Sequence, residues 1–377
     1  MKIVFISHTA LGSSYVVGSH QLAIALANDG HQILHISSPL TLLHMFQSRY
    51  KFRRKLASRG PHKYCDGLIN WVPWTFAPWQ FSRIVKIFIR LFGSTIFNLR
   101  STLRKLNFHS VDLVLIDEPR LVGLSYFFDD AHIVYRPTDI YWVQKNDSSI
   151  INAERLLLSK VSLVVGTSGP VLQHILSLGF EQSYELIENG FEFNGEFPQK
   201  PDLKAPFKGI YYGSLDDRFD HKLVLEIALA NPGVDFVVAS PDFENLPKGL
   251  PANLQYTKRI PYDELFHRIS EFDFGFLPFV DNTANNGRSP MKLYEMYACG
   301  LPVFSTETSE LRRRKLPFVF FFDSSLEIKE KLLELDTAIL DCEFRETVLK
   351  NHTWTAISRR LLEFVENGKE DLSDRKN

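Results

Sequence analysis

The chain has 377 residues, 45% apolar, 13% aromatic and 23% charged, which suits two folded domains and argues against a disordered, fibrous or single small-core protein. Its three cysteines, Cys65, Cys299 and Cys342, form no C-x-x-C pair, which argues against a disulfide framework or a structural zinc and for a reducing compartment. The net charge of −1 hides an asymmetry: between His44 and Lys105, thirteen Lys and Arg face one acid, Asp66, so this segment carries +12 and the rest −13, as expected for a local anionic partner.

In chain order, KIVFIS opens as a buried strand, its apolar run too short for a signal peptide, and passes into the loop HTALGSS. Gly12 and Gly18 lack the third glycine of a dinucleotide-binding loop, which weakens that reading. His20, beside this loop, is either a packed histidine or an acceptor-side contact, with Gly12 on the same side. Further short runs, QILHISS, LINWVPW, LVLID, HIVYRP, LVVGTS and YELIENG, alternate with helical stretches to about residue 190.

Within this half lies FSRIVKIFIRLFGSTIFNLRSTLRKL, in which Arg83, Lys86, Arg90, Arg100 and Arg104 share one helical stripe flanked by apolar residues. Trp71, Trp74, Phe76 and Trp79 precede it. A cationic face, apolar flanks and tryptophans at their boundary describe a helix lying on an anionic membrane surface; a core helix with a solvated basic edge is the alternative. Nucleic acid is disfavoured as the anionic partner, because no binding motif accompanies the charge. No stretch approaches the roughly 18 apolar residues of a membrane span, so the expected location is cytoplasmic, peripheral to the inner face of the cell membrane.

A polar, proline-containing linker at 191–206 separates a second series, GIYYGSL, DFVVAS, LQYTK, FGFLPF, LPVFST and FVFFF. Runs apolar on both faces and separated by helices predict an α/β chain with two doubly wound parallel sheets, residues 1–190 and 207–350. The ligand site is expected in the cleft between them, outside the carboxyl ends of the strands. Residues 351–368 form a C-terminal helix expected to return to the first domain, and 369–377 a polar tail.

The stretch GRSPMKLYEMYACGLPVFST, residues 287–306, carries the most chemistry. Ser289 suits an N-cap and Pro290 the first helical position, while Gly300 and Pro302 stop the helix. Free backbone N–H groups, the helix dipole and Lys292 together predict an anion at this terminus. Glu295, three residues on, would reach a sugar hydroxyl beside that anion, or pair with Lys292 at the surface. Gly213 and Ser214 form a turn that lets backbone approach a phosphate.

SPMKLYEMYACGLPV, GSL and ELIENGFEFNGEF together resemble the donor helix, phosphate loop and interdomain crossing of the two-domain GT-B nucleotide-sugar glycosyltransferases. His20 ahead of Gly30, VYRPTD from Val134 to Asp139, and S-x-M-K-L are more narrowly similar to the membrane-associated glucuronosyltransferase of xanthan biosynthesis, glycosyltransferase family 70. The resemblance implies a GT-B fold of two Rossmann-like domains and transfer from a UDP-sugar, with glucuronate the leading sugar, to a lipid-linked saccharide acceptor in surface polysaccharide synthesis. It implies Asp139 as catalytic base, Lys292 as pyrophosphate-binding lysine, Ser289 and Met291 as donor contacts, and Arg259 near the base or phosphates. From the residues alone, Asp139 could equally cap a helix and Arg259 be a solvated loop arginine.

Glu295 stands where the wider fold class binds ribose, although the narrower family carries an amide there. Gly287 stands eight residues before Glu295, where retaining enzymes carry a second glutamate, so inversion is expected. With no Asp-x-Asp in the chain and no cofactor motif, metal-independent catalysis is expected. A UDP-sugar epimerase of the same fold and a non-catalytic membrane-surface scaffold are the other two classes consistent with these residues.

Overall fold

The computed structural model describes all residues except 14–16, 77–95, 129, 193–205, 242–248, 323–327, 336–342 and 375–377. The chain divides into two units, Met1–Asn189 with Trp354–Asn377, and Gly190–Thr353. Trp79, Arg83, Lys86, Arg90 and most of the expected 191–206 linker lie outside the described residues.

The strands of the first unit are β1 (Lys2–Ser7), β2 (Gln32–Ser37), β3 (Leu40–Thr41), β4 (His62–Cys65), β5 (Leu68–Trp71), β6 (Trp74–Thr75), β7 (Leu113–Ile116), β8 (His132–Tyr135), β9 (Leu163–Gly166) and β10 (Ser183–Leu186). Eight of them form one sheet in the order β10-β9-β8-β7-β1-β2-β5-β4, parallel except where β4 turns back along β5. β3 and β6 form a small parallel pair of their own. Val4, Ile6, Val114, Ile116, Val134 and Val164 are fully buried, as a sheet covered on both faces requires.

The helix Trp354–Asp374 belongs to this unit. Trp354, Ile357, Leu361 and Val365, spaced three or four apart, make its buried stripe. Arg360 fixes it by donating to Glu185 Oε1 at 2.8 Å and to the Leu186 carbonyl at 3.0 Å. This helix passes Gly368 and runs to Asp374, so the expected polar tail at 369–377 is largely helical backbone.

The second unit holds β11 (Phe207–Tyr212), β12 (Val234–Ser240), β13 (Leu254–Lys258), β14 (Phe274–Leu277), β15 (Val303–Ser305) and β16 (Val319–Phe321), all parallel in the order β13-β12-β11-β14-β15-β16. Each run expected as a strand is a strand. The order reverses at β11, between β12 and β14, and the loop leaving β11 therefore lies at the switch point of the sheet.

Two expectations about the basic segment fail. Trp71 is only 5% exposed, inside the first unit's core, and so presents no membrane contact, while Trp74 packs partly buried against the Leu40, Leu56 and Val72 cluster. A single helical stripe through Arg100 and Arg104 is also excluded. Ile96 bridges Thr75 in antiparallel fashion and Asn98 adopts a left-handed φ of 55°, so the helix Leu99–Lys105 starts afresh.

Candidate active site

In the second unit three of the expected donor residues, Gly213, Ser214 and Lys292, meet at the turn after β11. Gly213 has φ +144°, and a Cβ there would stand 2.7 Å from Lys292 Cε and 2.9 Å from Nζ, so the glycine is what lets the lysine reach this turn. Tyr211 Oη donates to the Ser214 carbonyl at 2.9 Å and steadies the turn. Burial lowers the Lys292 pKa to about 8, and the neighbouring Arg288 and Arg218 push it the same way against Glu295. Three positive groups thus crowd one turn.

Arg288 and Arg218 were not singled out from the sequence. They meet because the loops after β11 and β14 are zipped together. Phe219 bridges Phe279, Val280 N–H donates to the Arg218 carbonyl at 3.0 Å, and buried Asn285 donates from Nδ2 to the carbonyls of Arg218 (3.1 Å) and Val280 (2.8 Å). Arg218 is held by Asp216, its Nε donating to Oδ1 at 2.7 Å, and the ion pair keeps the Asp216 carboxyl below its ordinary range despite burial. The arginines of GSLDDR and GRSPMK were visible in the sequence, but some seventy residues separate them and only the zipped loops relate them.

The helix expected to bind the donor is Met291–Ala298, and its N-cap is Pro290, not Ser289. Ser289 Oγ instead accepts from Arg314 Nη2 at 2.7 Å, because Arg314, 2% exposed on its side chain, reaches back from the helix Ser309–Arg314. Arg314 also donates to Tyr294 Oη at 2.9 Å and to Glu310 Oε1 at 2.8 Å. The start of this helix is therefore clamped from behind, with partly exposed Met291 and Lys292 on its first turn. Its end is as expected: Gly300 takes φ +70°, and the N–H groups of Gly300 and Leu301 donate to the Tyr297 and Met296 carbonyls.

Glu295 is 4% exposed, which excludes a surface acid. Tyr212 Oη donates to its Oε2 at 2.8 Å and Tyr262 bonds it as well, while burial raises its pKa. Arg259 follows β13 at the carboxyl end of the sheet, exposed.

In the first unit, the carboxyl ends of β1, β7 and β8 bring polar groups together. Asp117, 5% exposed, accepts from Ser7 Oγ at 2.7 Å and Ser19 Oγ at 2.6 Å, and His8 Nδ1 lies 3.8 Å from its other oxygen. Burial opposes charge on both residues, yet their mutual attraction raises the His8 pKa and lowers that of Asp117. His8 meets the Tyr141 ring edge-on at 6.0 Å between centroids, and Tyr141 Oη shares a 2.8 Å hydrogen bond with Thr138 Oγ1. Asp139 lies between them in sequence, partly exposed, and does not cap the next helix, whose N-cap is Ile140 with no side-chain bond.

His20 is packed rather than presented: it is 5% exposed, its Nε2 lies 2.9 Å from Thr9 Oγ1, and burial lowers its pKa to about 4. Gly12 is exposed with φ +80°. The His8 and Asp117 pair was missed because the two residues are 109 positions apart and only the β1–β7 register joins them. Among the described residues, no three His, Cys, Asp or Glu side chains are grouped to hold a metal ion.

Residues 220–363 match a family model described as glycosyl transferase-like. The chain is 25% identical over 200 residues to TuaH of Bacillus subtilis (strain 168), whose name proposes a glycosyltransferase of teichuronic acid biosynthesis; the match spans 48% of this chain and half of that protein. Among solved structures, it is similar to sucrose-phosphate synthase from Thermosynechococcus elongatus (TM-score 0.67, 15% identity, 97% and 98% of the two chains). Anabaena HepE, solved with UDP and glucose, is also similar (0.64, 14% identity, 97% and 99%). With parallel sheets in two units and neighbours of this kind, the chain has the GT-B fold of glycosyltransferases.

Proposed function

We propose that the protein is a glycosyltransferase that takes a UDP-linked sugar and transfers it, with inversion and without a metal, to a lipid-linked saccharide in surface polysaccharide synthesis. The observation that carries the reading is the meeting of Lys292, Arg288 and Arg218 at the Gly213 turn, on the switch point of the second sheet. Fixed cations and N–H groups there suit a diphosphate, whose charge grows as the sugar leaves, and so favour the leaving group more than the bound donor. The UDP complex of the HepE neighbour and the TuaH name support the donor class and the pathway type.

In the proposed step the acceptor hydroxyl oxygen bonds to the anomeric carbon, the bond from that carbon to the diphosphate oxygen breaks, and the hydroxyl proton passes to a base. Asp139 is the first candidate base, as the resemblance implies. The second is His8, favoured by the buried carboxylate of Asp117 beside its ring. Glucuronate remains the leading sugar by resemblance, and the setting proposed is the cytoplasmic face of an anionic membrane. Among the described residues, no helix is long and apolar enough to cross a membrane.

The test is calorimetric titration with UDP in the presence of EDTA, beside turnover of UDP-glucuronate and UDP-glucose on a membrane extract holding lipid-linked saccharides. Metal-free UDP binding, weakened about 10- to 100-fold in Lys292→Ala, is the expected result, with turnover abolished by either Asp139→Asn or His8→Gln at unchanged UDP affinity. Folded protein that binds no nucleotide overturns the proposal.

A further inference from the structure

β3 and β6 run parallel with Thr41 beside Thr75, so the residues that follow them, Leu42 and Phe76, leave the pair at the same end. Thr75 also bridges Ile96, which brings Phe97 against Phe76 at 3.8 Å between ring centroids. The turn Leu42–Phe46 that continues from β3 buries none of its five residues. Leu43 is 70% exposed, Phe46 90% and Phe76 63%, with Leu42 and Met45 also in the open. Exposed apolar residues gathered at one end of the β3–β6 pair mark a docking site more often than a solvated face.

This turn is fixed in its exposed position. Thr41 N–H donates to His44 Nδ1 at 2.9 Å, and Arg54 Nη1 donates to the carbonyls of His44 (2.9 Å) and Gln47 (2.6 Å). The helix Lys51–Arg59 that supplies Arg54 presents Lys51, Lys55 and Arg59 outward, and Arg49 is exposed just before it. From His31 to Cys65 there are seven Lys and Arg and no acid.

We infer that the rigid turn Leu42–Phe46, with Phe76 and Phe97 beside it, is a wedge that inserts into an anionic lipid surface while the cations around it bind the headgroups. The inference rests on the reading of the protein as a membrane-surface enzyme. It moves the contact from Trp71, which is buried, and Trp74, which is partly buried, to the turn Leu42–Phe46, and keeps only Phe76 of the aromatic run read from the sequence. An apolar turn ringed by one sign of charge matches a bilayer, in which hydrocarbon lies just beneath negative headgroups. A second copy of this chain would set seven cations against seven, and a nucleic acid would leave Leu43 and Phe46 without a role.

The experiment is co-sedimentation of the full chain with vesicles of phosphatidylcholine alone and of phosphatidylcholine mixed with phosphatidylglycerol. Partition onto the mixed vesicles only, weakening with salt, is expected. Leu43→Ser with Phe46→Ser should lower it about tenfold or more, and Arg49→Glu with Lys51→Glu should lower it likewise, both with UDP affinity unchanged. Surface substitutions of this kind leave the cores intact, and an unchanged circular dichroism spectrum checks it. Equal partition of the Leu43/Phe46 variant overturns the wedge. So does concentration-dependent self-association that the variant abolishes, which assigns the surface to a second copy, and so does tight, variant-insensitive binding to a polyanion without lipid binding. Loss of UDP binding with vesicle binding intact would defeat the donor-site reading instead, so the two failures are distinguishable.

Discussion

At the scale of single residues, Lys292 governs the proposed donor site. Its ammonium titrates near pH 8 because burial and two guanidinium groups disfavour its charge, and a bound diphosphate would favour that charge. UDP affinity should therefore be highest below pH 8 and fall as the pH rises through it, with proton uptake on binding above that point; calorimetry in buffers of different ionisation heat reads both. Lys292→Ala should weaken UDP by about 10- to 100-fold, the worth of one charge-assisted hydrogen bond of about 1.5–3 kcal/mol, and flatten the pH dependence. Gly213→Ala should act through the same lysine, since its methyl would displace Nζ and strain a φ of +144°; a loss of at least about tenfold in UDP affinity with a native spectrum is expected. Lys292 and Gly213 were legible because each sits at a recognisable strand or helix end. Arg218 and Arg288 were not, since a loop arginine carries no periodic signal.

At the scale of elements, the helix Met291–Ala298 depends on a clamp behind it. Arg314 ties Ser289 and Tyr294 to Glu310, and both ends of that ion pair are buried. Removing Arg314 leaves Glu310 with half-exposed Arg313 as its partner, so Arg314→Ala should destabilise the second unit by about 3 kcal/mol, measured by urea denaturation. UDP affinity should drop further than stability alone accounts for, because the first turn loses its anchor. The helix and both its ends were readable from Pro290, Gly300 and Pro302. The role of Ser289 was not, because its choice of partner depends on a guanidinium twenty-five residues away.

For the whole molecule, the fold makes the helix Trp354–Asp374 part of the unit at the opposite end of the sequence. Its contacts with the helix Gly18–Asn28 and with Glu185 and Leu186 are long-range, and Trp354 is fully buried. Ending the chain at Thr353 should therefore lower the stability of the first unit by several kcal/mol, as expected for exposing a Trp and three aliphatic side chains of about 1.5–3 kcal/mol each. The second unit should keep its UDP binding. Denaturation followed by limited proteolysis and by UDP titration should then show two separate transitions, since two cores need not unfold as one.

What the sequence by itself determined is local and periodic. Runs such as KIVFIS and FGFLPF are apolar on both faces, and that pattern specifies a covered parallel strand whatever its neighbours; glycine and proline likewise stop a helix through their own backbones. The fold and the helix Met291–Ala298 were legible for that reason. Tertiary structure alone decided which charges meet. Registers between β1 and β7 and between the loops after β11 and β14 set His8 against Asp117 and Arg218 near Lys292, across about 70 to 110 residues of chain. It also decided which apolar residues face out. A tryptophan or phenylalanine carries the same hydrophobic free energy in a core as at a membrane, and only packing decided that Trp71, on β5 beside β2, is buried while Phe46, in the turn after β3, lies in the open.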